Sequence, residues 1–351
     1  MNKDSRRKPT VRDVARQAGV SIGTVSNALN RPEYIHPDTL AKVRKAIAHL
    51  NFIPSPGAQS RRRKPIAKKS VSEGESIGIL LLGNKDLHWI VKEAPIYAYA
   101  LHGAEQAATQ LRWPCQILHA RDMQDVKEIW PDLPKGGLVL LSKDDLGPLP
   151  EGFSLPPIVK IMGFSNTRWG DCCTYNSYGA GRVAAEYLWE SGCRIGACIG
   201  GVERGVPAIR MQGFDDAFTT LGGKVAPRAD INLFPESHLP DEAAMLKTVK
   251  FLLKHKPKID GIFVTADMLA PLLYRVLGKL DIQPQKDIKI VTCNNERPYL
   301  AGLKPEPAVV DIHGEMIGAE AVKLLAWRKA NPHEPRRTLV IEPTLVLPKA
   351  K

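Results

Sequence analysis

The sequence predicts an all-α helix-turn-helix head followed by an α/β body of two lobes with parallel sheets. Three observations predict this. The chain holds 49 Lys+Arg and 37 Asp+Glu, and 16 of the former with 4 of the latter lie in the first seventy residues, so the whole +12 excess sits there and the rest balances at 33 against 33. Inside that basic stretch, residues 10–30 read TVRDVARQAGVSIGTVSNALN, two short helices around a tight turn. From Ser76 onward, short apolar runs alternate with helical stretches in two successive series, the pattern of parallel strands joined by crossover helices.

Composition bounds the rest. With 351 residues, 44% apolar and 25% charged, the chain has the make-up of two or three folded domains, and disorder is not its default. It holds no uninterrupted apolar run of about 18 residues, and MNKDSRRKPT is not followed by the apolar core of a signal peptide. A cytoplasmic protein without a membrane partner is expected. The cysteines at 115, 172, 173, 193, 198 and 293 form no CxxC pair and have no histidine at ligand spacing, so reduced thiols are expected, with no metal and no cofactor.

Within the head, Thr10 with Asp13 three residues on starts a helix whose apolar face is Val14, Ala15 and Ala18. Gly19 ends it and supplies the backbone freedom of the turn. Ser21 caps a second helix that packs back through Val25, Ala28 and Leu29. A third runs from Pro37 in its first turn through Leu40, Val43, Ile47 and Leu50. Three helices close one small core. A basic head ahead of a neutral body suits duplex DNA, a polyanion, whereas a small metabolite needs no such field.

The stretch TVRDVARQAGVSIGTVSNALN, continued by HPDTLAKVRKAIAHLNFIPSPGAQS, resembles the head of the lactose-repressor (LacI/GalR) family of bacterial transcription regulators. The resemblance implies that the second helix enters the major groove with Ile22, Gly23 and Asn27 facing base edges. Of these, Asn27 has the bidentate chemistry for adenine, Ile22 offers methyl contact to thymine, and Gly23 offers no side chain. It implies further that Ser21, Thr24, Ser26 and Asn30 hold phosphates and so fix register without reading sequence. Residues 54–64 match the family's hinge, a short helix that forms on operator DNA, which places Ala58, Arg61 and Arg62 at the minor groove. Arg61 stands where the family has a leucine wedge; arginine is drawn by the groove's potential but does not unstack a base step as an apolar wedge does. The run Arg61 to Lys64 also fits a solvated basic linker, and for Lys68 and Lys69 that is the simpler reading. The head is therefore expected over residues 1–53 and the hinge and linker over 54–75.

In the body, over residues 76–351, the first series is SIGILLLG, PIYAYALHGAEQAATQL, CQILHA and GLVLLS. The second includes YGAGRVAAEYLWESG, RIGACIG, IRMQGFDDAFTTLG, ADINLF, GIFVT, DMLAPLLYRVLG and KIVTC. This body resembles the family's sensor, itself related to periplasmic sugar receptors, with the chain expected to cross between lobes near 174, 313 and 338. Lobe one would then hold about 76–174 and 313–338, and lobe two 175–312 and 339–348. A ligand would sit at the carboxyl ends of the strands. Residue by residue, Arg210 in IRMQGF matches the family's cleft arginine. Asn294 in TCNNE falls where many relatives have an aspartate, and Asp267 in VTADM matches an Asn-Asp pair whose asparagine is here Ala266. Phe234, Tyr175 and the His88-Trp89 pair are candidates for stacking on a ligand face, although each aromatic fits core or lobe packing equally well.

An enzyme is disfavoured: there is no GxxxxGK[ST] loop, and GGVERG at 200–205 lacks the GxGxxG order. A head of this size covers about half an operator, so a homodimer on a near-palindromic site is expected. With Lys351 following soon after TLVLP, no C-terminal coiled coil is expected. The expected effector is a neutral sugar or sugar derivative, with purines next. Whether it releases or recruits the protein is not encoded legibly.

Overall fold

The computed structural model describes residues 9–30, 35–50, 52, 76–83, 87–88, 90, 95–142, 156–162, 170–200, 206–234 and 240–348. The chain divides into two units, Met1–Val71 and Ser72–Lys351. In the first, helices α1 (Val11–Ala18), α2 (Ile22–Asn30) and α3 (Pro37–His49) enclose Val14, Ala15, Val25, Val43 and Ala46. Asp13 reaches back to accept from the Thr10 N–H at 2.9 Å and the Thr10 hydroxyl at 2.6 Å, which fixes the start of α1. Gly19, at φ 65°, closes α1 in the left-handed conformation, and the Val20 N–H returns to the Ala15 carbonyl at 3.0 Å. The expected turn chemistry thus operates at both ends.

The second unit is built on two six-stranded sheets. The first sheet has the order β11-β5-β4-β3-β1-β2, from Thr338–Ile341, Asp171–Tyr175, Ile158–Ile161, Leu138–Ser142, Ile77–Leu82 and Cys115–Ala120, with every neighbouring pair parallel. The second has the order β12-β10-β9-β8-β6-β7, from Thr344–Val346, Ala308–Asp311, Lys289–Asn294, Gly261–Val264, Ile195–Ile199 and Lys224–Val225. Its pairs are parallel except β12, which runs antiparallel to β10 at the edge. Strands β1, β4, β6 and β8 are buried at every position, as strands covered by helices on both faces must be. Among the described residues no helix is long and apolar enough to cross a membrane, and the six cysteines form no disulfide.

Helices α4 (Pro95–Gln110), α5 (Met123–Ile129) and α11 (Gly314–Ala330) accompany the first sheet, and α6 (Ser177–Glu190), α7 (Val206–Thr220), α8 (Glu242–Leu253), α9 (Ala270–Lys279) and α10 (Arg297–Leu300) the second. One helix pair in each lobe packs backbone against backbone. A Cβ at Gly318 of α11 would lie 1.8 Å from the Ala100 carbonyl oxygen of α4, and one at Gly181 of α6 would lie 1.9 Å from the Arg210 carbonyl oxygen of α7. No side chain larger than hydrogen fits either contact.

Two sequence expectations change. The chain leaves lobe one after β5 and returns to it between β10 and α11, but the third crossing falls after Ile341 and not near 338, because β11 still pairs in parallel with β5 and only β12 joins the second sheet. Asp171 holds β11 in place: its carboxylate takes a bidentate pair from Arg328 at 2.7 and 2.8 Å and accepts from the Arg337 N–H at 2.7 Å. Second, ADINLF forms no strand. The Asn232 side chain accepts from the Phe234 N–H at 3.0 Å and donates to the Phe234 carbonyl at 3.2 Å, a local loop that displaces ladder pairing.

The crossings are bonded to one another. Asn176, which caps α6, donates to the Glu342 carboxylate at 3.1 Å, and His313 Nε2 meets the Thr344 hydroxyl at 3.0 Å. Gly318→Ala is expected to lose about 1–3 kcal/mol of stability through overpacking, whereas Gly278→Ala, where a Cβ meets nothing within 4 Å, gains up to about 1 kcal/mol of helix propensity. Chemical denaturation of the two variants checks the opposite signs.

Candidate DNA-binding helix and interlobe site

In the head, the Ser21 hydroxyl accepts from the Thr24 N–H at 3.0 Å and so caps α2, and the two hydroxyls lie 2.9 Å apart. Their mutual bond uses one hydroxyl hydrogen; the other is left to donate outward. Ile22 is 49% exposed, and Gly23 is exposed with only the Ser21 hydroxyl within 4 Å of the place a Cβ would take. Ser26, Asn27 and Asn30 lie on α2, with side chains outside the described residues, as are Ala58, Arg61, Arg62 and Trp89 altogether. Arg12, Arg16, Lys42, Arg44 and Lys45 are exposed on the same small unit.

In the body, four of the residues singled out in the sequence come together where the strands of the second sheet end. Tyr175 closes β5, Arg210 lies on α7, Asp267 follows β8, and Asn294 ends β9. Arg210 is 3% exposed; it donates to the Thr265 carbonyl at 2.5 Å and to the Tyr175 hydroxyl at 2.9 Å, with its guanidinium carbon 5.2 Å from the Tyr175 ring centroid. The Asp267 carboxylate accepts from the Glu296 N–H at 2.6 Å. Asn294 adopts φ 120° and Asn295 φ 65°, conformations costly for non-glycine residues that mark a turn fixed by its surroundings. Asn295 donates to Asp311 at 2.9 Å, and Asp311 accepts from the His313 N–H at 2.7 Å, which links this turn to the second crossing.

Two further residues belong to the site and were not singled out. Glu296 is buried, accepts from Asn294 Nδ2 at 2.8 Å, and accepts from the Ile96 N–H of lobe one at 2.9 Å. Tyr97, on the first turn of α4, lies near Tyr175, Glu296 and Arg210, and burial pushes its hydroxyl far above the usual range. Their signals were present, in TCNNE and in the start of PIYAYAL, but nothing local ties either to the cleft. Phe234 and His88 are not in the cluster: Phe234 is half-buried against the core of lobe two, and His88 is exposed.

Several polar atoms here are buried with no hydrogen-bond partner among the described residues: Arg210 Nε, Thr265 Oγ1, Asp267 Oδ1 and Asn294 Oδ1. Buried groups of this kind lose about 1–3 kcal/mol each if left unpaired, so the cluster is built to accept further partners. Burial raises the Asp267 carboxyl to about 8, against the lowering effects of the Thr292 hydroxyl and then the Glu296 N–H, and raises Glu296 as well. Burial also pushes the Cys293 thiol up to about 12, so it stays protonated.

The raised Asp267 value makes stability depend on pH. Its folded carboxyl is protonated up to about pH 8, whereas its ordinary value is 3.8, so the folded chain binds more protons between those limits and stability falls as pH rises through them. Asp267→Asn, which keeps an acceptor for the Glu296 N–H, is expected to flatten the decline of Tm between pH 5 and 8. Parallel profiles for the two proteins would contradict the assignment.

Residues 10–55 match the profile of bacterial regulatory proteins of the lacI family, and residues 185–348 that of the periplasmic binding protein-like domain. Similar curated proteins include the HTH-type transcriptional repressor PurR of Proteus mirabilis, 28% identical and aligned over 96% of this chain and 95% of the relative, and the ribose operon repressor of Haemophilus influenzae, 26% identical over 96% and 97%. Among solved structures, the transcriptional regulator CelR in complex with cellobiose matches with TM-score 0.60 at 21% identity, covering 97% of this chain and 98% of that one. The Lac repressor bound to ONPG matches with TM-score 0.59 at 17% identity, covering 97% and 99%.

Proposed function

We propose that this chain, which carries a lacI-family DNA-binding region and a periplasmic binding protein-like domain, is a transcriptional repressor of the lacI type that binds a near-palindromic operator as a homodimer and is controlled by a small molecule held between the lobes. The observation that carries the reading is the pairing of an exposed Ile22-Gly23 turn on a basic head with a buried, partly unpaired polar cluster in a neutral body. In this reading Ile22, Gly23 and Asn27 face bases, and Ser21, Thr24, Ser26 and Asn30 face phosphates. Ala58, Arg61 and Arg62 enter the minor groove.

The effector is a neutral sugar or sugar derivative, bound by Arg210, Asp267, Asn294 and Tyr175. Hydroxyl groups donate and accept at once, which suits a cluster whose open positions are the Arg210 Nε donor, the Thr265 hydroxyl, the Asn294 amide oxygen and the neutral Asp267 carboxyl. A planar base needs open aromatic faces. Tyr175 is engaged by Arg210, Phe234 leans on the core, and His88 is exposed. The PurR relatives keep purines as the second reading. A thermal-shift panel of neutral mono- and disaccharides, purine bases and amino acids separates the two: a sugar raises Tm in the parent and not in Arg210→Ala, while a shift confined to purines overturns the sugar assignment.

For the head, the site is open at Gly23, so Gly23→Ala adds helix propensity of up to about 1 kcal/mol but places a methyl group on the face turned to DNA. The expected outcome is an equal or higher Tm with weaker operator binding. Asn27→Ala is expected to lose about 1–3 kcal/mol on its operator and little on random DNA; binding-site selection followed by titration at fixed salt checks both.

A further inference from the structure

Glu296 stands at the seam of the body. One carboxylate oxygen accepts from the Ile96 N–H at 2.9 Å and the other from Asn294 Nδ2 at 2.8 Å, while its own N–H donates to Asp267 at 2.6 Å. Asn294 and Asp267 belong to lobe two. Ile96 is in the first turn of α4 in lobe one, 200 positions away in sequence. The Ile96 amide is one of the opening N–H groups of a helix that have no partner inside it, and it carries part of the positive end of the helix dipole. Water, a side chain of the same lobe or a loop could have satisfied it. In this chain a buried carboxylate from the opposite lobe does so, and the Ile96 side chain lies in one core cluster with Val310, Ile312 and Phe214 of lobe two.

This contact, with the neighbouring hydrogen bond between the Tyr99 hydroxyl and the Arg297 backbone, differs from the interlobe ties at the crossings. Asn176–Glu342 and His313–Thr344 join the crossing segments themselves, and Tyr175 adjoins the first of them, so those bonds lie where the lobes are already covalently joined. Ile96 and Glu296 belong to neither a crossing nor its neighbouring residue. Moving the start of α4 away from the ends of β8 and β9 breaks their bond and strands a carboxylate and a helix N–H together. The same residue also returns a carboxylate to a strand end where Asn294 has none.

We infer that Glu296 is a positioning residue that latches the two lobes together through the start of α4, so that it sets how readily the cleft opens before any effector arrives. Tyr97, Arg210, Asp267 and Asn294 surround it. The inference is independent of the effector's identity and of operator binding.

Amide hydrogen exchange of the full-length protein without added ligand tests it, comparing the parent with Glu296→Ala and Glu296→Gln. The alanine variant is expected to exchange at least about tenfold faster over residues 96–101 and 294–300, with residues 317–325 of α11 and 195–199 of β6 unchanged. The glutamine variant, whose amide oxygen still accepts from Ile96 and whose amide N–H meets the otherwise unpaired Asn294 oxygen once the Asn294 amide turns over, is expected to stay near the parent. Parent-like exchange in Glu296→Ala at residues 96–101 overturns the latch. So does a uniform rise through both lobes, which marks general destabilisation, and so does equal loss in both variants, which removes the acceptor role.

Discussion

Arg210 reaches the interlobe site because two helices touch through their backbones. At Gly181 of α6 there is no room for a Cβ against the Arg210 carbonyl, and at Gly213 of α7 a Cβ would lie 2.1 Å from the Tyr178 carbonyl. The glycines are reciprocal, one on each helix, so neither helix can slide or roll without a clash. This fixes the Arg210 Cα, and the guanidinium then finds the Thr265 carbonyl at the end of β8 and the Tyr175 hydroxyl at the end of β5. A long, flexible side chain is thereby held at both ends, and the cost in rotamer freedom is met once, on folding, and not at binding.

What surrounds Arg210 explains the unusual state of the carboxyls. Asp267 and Glu296 are buried beside each other with one guanidinium between the lobes to offset them, and burial favours the neutral form of each. Hydrogen bonds from the Glu296 N–H, from Asn294 and from the Ile96 N–H supply the compensation that a second cation would otherwise give. The turn at Asn294 and Asn295 is strained because it must aim one amide at Glu296 and the next at Asp311. Through Asp311 and His313 that turn is bonded to the second crossing and, by Thr344, to the third. On the proposed function, a ligand that rearranges the partners of Asn294 acts on the segments that join the lobes.

Much of this was legible in the sequence wherever the determining interaction is local. Thr10 with Asp13, Gly19 and Ser21 specify the head within a dozen residues, and alternation of apolar runs specified the lobes. Arg210, Asp267 and Asn294 were found through the family resemblance of IRMQGF, VTADM and TCNNE, and Tyr175 as an aromatic suited to a ligand face. The third crossing, placed near 338 by the resemblance, falls after Ile341 because only strand pairing, TLVI with β5 and TLV with β10, assigns these two runs to different sheets. ADINLF has the composition of a strand, but Asn232 closes a loop that no pattern of apolar residues reveals. Glu296 was overlooked for the same reason: its partner is 200 residues away, and an acid after a strand is ordinarily a surface residue.

The two units divide the physical work by charge. In the head, Arg12 and Arg16 lie on α1 and Lys42, Arg44 and Lys45 on α3, and the three short helices enclose, among the described residues, a core of only five buried side chains, Val14, Ala15, Val25, Val43 and Ala46. A core so small leaves little stability to spare, and contact with a polyanion adds to it by mass action. The body, with matched charges and two large sheets, has no such need and can store its polar strain at a single seam. An effector that loosens or tightens that seam by about 1–3 kcal/mol, the usual size of allosteric coupling, is comparable to the margin of the head. On the proposed function, regulation of DNA binding then asks for no large rearrangement within either unit, only a change of that size at the seam.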